Sequence, residues 1–233
     1  MSVLVYTENW DGKFKKLSFE LVSYASGIAS MTGTSVTAVS VGDVADQELK
    51  TLGNYGASKI LNIKGDKLAR LDNQAYASLL SAIATKEGSK VIILSNNNTG
   101  KAVAPRLAVR LKAGLGSGVS KLPLTLEPFT VYKRAYSGNA FAQLVIKSDI
   151  KVLTLAQNSF DVVETSNNAV VETAEFPVDG SLFKTEVTDV QKQSGKILLT
   201  DADIVVSGGR GMKSPDNWGP IVELASLLGG ATA

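Results

Sequence analysis

The residues best suited to chemistry are Ser207, Gly208, Gly209, Arg210 and Gly211, a glycine-rich turn carrying one cation. Before it stands Ile204-Val205-Val206, an apolar β-branched run with the composition of a buried strand. The three glycines allow positive φ and close approach of a ligand to the backbone. Beyond the turn, Ser214 suits a helix N-cap and Pro215 the first helical position. Asp216 falls in the first turn, where the helix dipole favours negative charge. Trp218, Ile221, Leu224, Ala225 and Leu228 follow at helical spacing. A strand, a glycine turn with an arginine and a helix N-terminus together offer N–H donors and positive charge to a phosphate. The plain alternative is a turn that only reverses the chain. Neither tight nucleotide fingerprint is met: Ser214 stands where the dinucleotide pattern wants glycine, and no Lys-Ser or Lys-Thr pair follows.

A second polar turn, Ser95-Asn96-Asn97-Asn98-Thr99-Gly100-Lys101, invites a P-loop reading and fails it. Serine occupies the first glycine position, and Ala102 stands where the magnesium-binding hydroxyl belongs. An adenine-nucleotide site at this turn stays open as an alternative function, as does a ligand-free interaction module. Composition narrows the rest. The chain has no histidine and no cysteine, which excludes a Ser-His-Asp triad, a histidine- or thiolate-ligated metal and a disulfide. A formal charge of +2 is too small to argue for nucleic acid. No run approaches the roughly 20 apolar residues of a membrane span. The first strand starts directly after Met1-Ser2, which leaves no room for a signal or transit peptide and makes a bacterial cytoplasm the expected compartment.

Elements that must carry these turns follow from periodicity. Strands are expected at 3–6, 36–41, 59–63 and 91–94, the last apolar enough to be covered on both faces. Helical spacing is seen at 16–31, at 43–52, in a segment capped by Asp72, and after Lys101 with Val103, Leu107, Ala108 and Leu111 inward. Alternating strands and helices predict an α/β fold, a doubly wound, mostly parallel sheet. Runs at 130–136, 140–146 and 151–155 suggest an antiparallel addition, with a structural turn at Asn139. Residues 88–126 hold six basic residues (Lys90, Lys101, Arg106, Arg110, Lys112, Lys121) and no acidic one. A solvated helix face is the ordinary reading, and a docking surface for an acidic partner the functional alternative. Residues 159–189 are acidic, with one more strand expected at 186–190. A boundary at 191–196 would separate an N-terminal α/β domain, 1–190, from the beginning of a second α/β domain, 197–233.

The string S-G-G-R-G-M-K-S-P-D-N-W at 207–218, followed by E-L-A-S-L-L-G-G-A-T-A at 223–233, closely resembles the opening of the flavin domain of the electron transfer flavoprotein alpha subunit. The segment G-K-A-V-A-P-R-L-A-V-R-L at 100–111 looks like the corresponding stretch of that family, and Y-S-G-N-A at 136–140 is similar to its Y-A-G-N-A. The resemblance implies a heterodimer with a beta subunit, carrying one FAD. It implies electrons taken from acyl-CoA and related dehydrogenases and passed to a quinone oxidoreductase or another acceptor. Arg210 would lie near the flavin or its pyrophosphate, with Ser207, Gly208, Gly209 and Gly211 as its cofactor-binding neighbours and no catalytic acid, base or nucleophile. The second domain is expected to be incomplete, so the chain by itself should bind FAD weakly or not at all.

Overall fold

The computed structural model describes residues 2–176, 180–183, 185–190, 197, 199 and 202–233. It divides into two compact units, Met1–Glu186 and Val187–Ala233. The proposed linker at 191–196 lies outside the described residues.

In the first unit, strands and helices alternate: β1 (Ser2–Tyr6), α1 (Lys16–Thr32), β2 (Ser35–Val41), α2 (Asp46–Thr51), β3 (Lys59–Lys64), α3 (Asn73–Lys86), β4 (Val91–Ser95) and α4 (Asn98–Leu111). Then come β5 (Gly114–Val119), β6 (Phe129–Ala135), β7 (Ala140–Ile146), β8 (Lys151–Leu155) and β9 (Val170–Glu175). The sheet runs β7-β6-β5-β8-β4-β1-β2-β3-β9. Pairing is parallel from β5 to β9 and antiparallel where β6 joins β5 and β7 joins β6. This is the expected doubly wound architecture.

Strand alternation divides the apolar residues between two cores. Val3, Val5, Val36, Ala38 and Ile60 pack under Leu21, Tyr24, Ala25 and Ile28 of α1. On the other face Leu4, Val39, Leu61, Ile92 and Leu94 meet Leu79, Leu80 and Ile83 of α3 and Val103 and Leu107 of α4. Caps set the helix starts. Asp72 accepts from the N–H groups of Gln74 and Ala75 at 2.8 and 3.0 Å, and Asn97 accepts from Gly100 at 2.9 Å. Gly100 packs so tightly that a Cβ there would lie 1.6 Å from the Ser95 carbonyl oxygen.

Two expectations for this unit need correction, and one strand gave no signal in the sequence. The run at 151–155 is β8, a parallel strand between β4 and β5 and not part of an antiparallel addition. Its Val152, Leu153 and Leu155 are fully buried, as a strand covered on both faces must be. No strand forms at 186–190, where side chains are exposed, and the edge next to β3 is taken by β9. β5 shows no sequence signal because it is half glycine. Cβ atoms at Gly114 and Gly116 would fall 2.5 Å from Ile146 Cγ2 and 2.9 Å from Leu153 Cδ2, so neighbours fill the space that β-branched residues would otherwise occupy.

The connection from β8 to β9 crosses the outer surface of α1. Glu20, buried on α1, accepts from the N–H groups of Asn158, Ser159 and Phe160 at 3.1, 2.8 and 3.1 Å. Ser23 Oγ accepts from Val163 N at 3.1 Å, the Phe160 ring meets Tyr24 edge-on, and Thr165 N donates to the Asn54 carbonyl. Polar bonds to buried α1 groups thereby carry β9 to the far edge of the sheet.

The second unit contains β10 (Val205–Val206), α5 (Gly219–Leu227) and β11 (Ala231–Thr232). β10 and β11 pair in parallel, with Val205 beside Ala231 and Val206 beside Thr232. The expected buried strand at Ile204-Val205-Val206 is short and open instead: Ile204 is 42% and Val205 46% exposed. Among the described residues it has a single strand as neighbour, so one pairing and one helix cannot cover it. Of the face expected on α5, Ala225 alone is buried, while Leu224 and Leu228 stay exposed.

Candidate functional site

Two turns can be judged from geometry. In the first unit the strand order changes direction between β1 and β4, the crevice where doubly wound sheets usually bind ligands. The carboxyl ends of both strands meet there, bringing Glu8 beside Ser95 and Asn97. Asn97 Nδ2 donates to Glu8 Oε1 at 2.8 Å, and the Ser95 hydroxyl lies 2.7 Å from both Glu8 Oε1 and Asn97 Oδ1. Glu8 thus binds the hydroxyl and amide side chains that flank the start of α4. A phosphate entering at this turn would meet the Glu8 carboxylate, a like charge. Burial, and then the Glu8 charge, push the Tyr76 phenol up to about 12; burial, Tyr76 and Glu8 raise that of Tyr6. Lys101 points to solvent. The Ser95–Lys101 turn is built to hold α4 on β4.

The second unit sets out the other turn. Ser214 caps the 3-10 turn Pro215–Trp218 that leads into α5, its hydroxyl accepting from Asp216 N at 3.3 Å. Gly209 begins a short turn over Arg210–Met212, closed by Met212 N to the Gly209 carbonyl at 3.0 Å. The glycines differ in role. A Cβ on Gly208 would lie 2.9 Å from Met212 Cγ and 3.6 Å from both Trp218 and Ile221, so this glycine admits the small apolar cluster beneath the loop. Gly209 and Gly211 face nothing within 4 Å. None of the three takes the positive φ that glycine allows; the residue with positive φ is Lys213, at 62°. Among the described residues, nothing accepts from the N–H groups of Gly209, Arg210 and Gly211, and the exposed Arg210 guanidinium makes no hydrogen bond or ion pair. Ser207 lies just before this loop, half-buried after β10. Three unpaired donors, the exposed Arg210 guanidinium and two positions with open space above the backbone are what a polar or anionic ligand group requires.

The same loop lies within a family match. A model of the electron transfer flavoprotein domain matches residues 3–179, and a model of the electron transfer flavoprotein FAD-binding domain matches residues 198–233. The chain belongs to the electron transfer flavoprotein family. It is 28% identical over 239 residues to the electron transfer flavoprotein subunit alpha of Clostridium acetobutylicum, covering 99% of this chain and 71% of that protein. It is 29% identical over 234 residues to the subunit alpha of Bacillus subtilis, covering 98% and 70%. A lactate dehydrogenase (NAD(+),ferredoxin) subunit, LctC, of Acetobacterium woodii is 27% identical over 235 residues, covering 99% of this chain and 56% of that one. The role of the chain is accordingly that of an electron-transfer flavoprotein component of the alpha type. Among the described residues no group of His, Cys, Asp and Glu could hold a metal ion, and no helix is long and apolar enough to cross a membrane.

Sequence reasoning reached the loop through its string of residues and missed Glu8, which has no local motif. Its partners Ser95 and Asn97 lie nearly ninety positions away (|i−j| of 87 and 89), so only the strand order brings the three together.

Proposed function

We propose that this chain is the alpha subunit of a flavin-carrying heterodimer and that Ser207, Gly208, Gly209, Arg210 and Gly211 form part of its FAD cradle. The observation that carries this reading is the set of unpaired N–H groups at Gly209–Gly211 with the free Arg210 guanidinium. FAD, when bound, supplies the redox chemistry. Arg210 places a positive charge where the flavin or its pyrophosphate is negative, and open space at Gly209 and Gly211 lets the cofactor approach the backbone. Gly208 holds the loop on Met212 and Trp218. The chain contributes no acid, base or nucleophile, so it acts as a carrier. A beta subunit completes the assembly, acyl-CoA-type dehydrogenases donate electrons, and a quinone oxidoreductase or other acceptor receives them. Residues 191–196 join two domains, and the heterodimer works in a bacterial cytoplasm.

Co-expression with a companion beta chain tests this reading. The purified pair should be yellow, with a flavin absorption spectrum and close to one FAD per heterodimer. A stable pair that stays colourless after incubation with FAD would refute it.

A further inference from the structure

Edge strands present unpaired backbone groups, and proteins usually blunt them with charge, proline or a bulge. The edge at β9 follows the rule with Glu172 and Glu175. The opposite edge does not. β7 is Ala140-Phe141-Ala142-Gln143-Leu144-Val145-Ile146, a strand without charge or proline, held to β6 in unbroken antiparallel register. On its outer side alternate residues present N–H and C=O groups with no strand to receive them among the described residues. One face of the edge exposes two apolar side chains on either side of Gln143: Phe141 at 58% and Val145 at 43%, with Tyr132 stacked on Phe141 at 5.0 Å and 22°.

The surroundings are mainly basic. Lys121 Nζ sits 4.9 Å from the Tyr132 ring centre, Arg134 lies opposite Phe141, and Lys133 opposite Ala142. Residues 88–149 include nine basic residues and two acidic ones, Glu127 and Asp149, the latter paired with Lys90. Helix α4 adds exposed Lys101, Arg106 and Arg110. Such a field opposes a second basic surface and attracts acidic chain.

We propose that β7 is a docking edge for an extended, acidic segment of a partner polypeptide. That segment adds a strand to the sheet, its apolar residues covering Phe141 and Val145 and its carboxylates facing Arg134 and Lys121. Main-chain pairing supplies affinity and the alternate side chains supply selectivity. This surface is independent of the Arg210 loop, so either assignment can fail alone.

The test uses the whole chain, isotope-labelled, titrated with a capped heptapeptide, Glu-Thr-Val-Thr-Glu-Thr-Val, whose glutamates and valines share one strand face, beside its lysine-for-glutamate counterpart and inorganic polyphosphate. The expected result is saturable shifts of alternate amides in Ala140–Ile146 with the glutamate peptide, and at least tenfold weaker binding of the lysine peptide. Phe141→Lys with Val145→Lys, both at exposed positions, should weaken binding more than tenfold while the amide spectrum outside β6 and β7 keeps its native pattern. Absence of shifts in β7, equal binding of both peptides, or displacement of the glutamate peptide by polyphosphate would overturn the proposal. Self-association abolished by Val145→Lys would overturn it as well, because a second copy would then occupy the edge.

Discussion

Replacement of Glu20 by alanine should loosen the crossing of α1 by the β8–β9 connection. The carboxylate is 2% exposed and holds three consecutive backbone N–H groups. Leaving a buried donor unpaired costs about 1–3 kcal/mol. Asn158 is exposed and can turn its N–H to water, whereas Ser159 and Phe160 are partly covered. Two stranded donors, less the relief of no longer burying a charge, give a loss of roughly 2–5 kcal/mol. Glu20→Gln keeps one oxygen for Ser159 and Phe160 but turns an amide NH2 toward the Asn158 donor, so it should lose about half as much. Urea unfolding of the three proteins measures the order: wild type, then glutamine, then alanine. Hydrogen exchange should quicken in 158–165 and in β9, which the connection delivers, before it quickens in β1 or β4. An alanine variant within about 0.5 kcal/mol of wild type, the usual range for neutral surface changes, would refute the reasoning.

Gly100→Ala should cost about 3 kcal/mol or more by urea unfolding, because its Cβ would fall 1.6 Å from a backbone oxygen that cannot move without α4 leaving β4; a loss under 1 kcal/mol would show the packing to be looser. Stability should fall between pH 10 and 12. The unfolded chain releases its phenolic protons near pH 10 while the folded chain retains that of Tyr76 to about 12, held there by burial and the Glu8 charge. Tyr76 alone then accounts for about 2.3 kcal/mol by pH 12, with Tyr6 and Tyr24 shifted the same way. Urea midpoints measured against pH should show the decline, and Tyr76→Phe should flatten it; identical slopes would contradict the assignment. Millimolar AMP or ATP should leave the melting temperature unchanged, since the Glu8 carboxylate beside the α4 N-terminus repels a phosphate. A rise of several degrees would restore the nucleotide alternative.

Much of the first unit was legible because its apolar residues recur at strand and helix periods. Val3 to Tyr6 and Val91 to Leu94 are buried on both sides, and Leu21, Tyr24 and Ile28 form one face of α1. Legibility failed where neighbours in space substitute for local pattern. β5 is glycine because Ile146 and Leu153 fill its surface, and β9 is partly acidic because it lies at an edge facing water. The run at 151–155 followed a hairpin in sequence and so suggested antiparallel pairing, although its fully apolar core residues belong to a central parallel strand. In the second unit the N-cap at Ser214 was readable from Ser-Pro-Asp, yet the division of labour among the glycines was not. Gly208 is small for Met212 and Trp218, whereas Gly209 and Gly211 open outward, and spacing alone cannot tell those cases apart.

Arg210 and its open loop carry the central claim, and the dissociation constant of FAD from the complex with the beta chain tests it most directly. Arg210→Ala should weaken FAD at least tenfold, about 1.4 kcal/mol, with the melting temperature of the apoprotein unchanged because the guanidinium has no partner among the described residues. Equal affinity for FAD in wild type and Arg210→Ala would contradict the account.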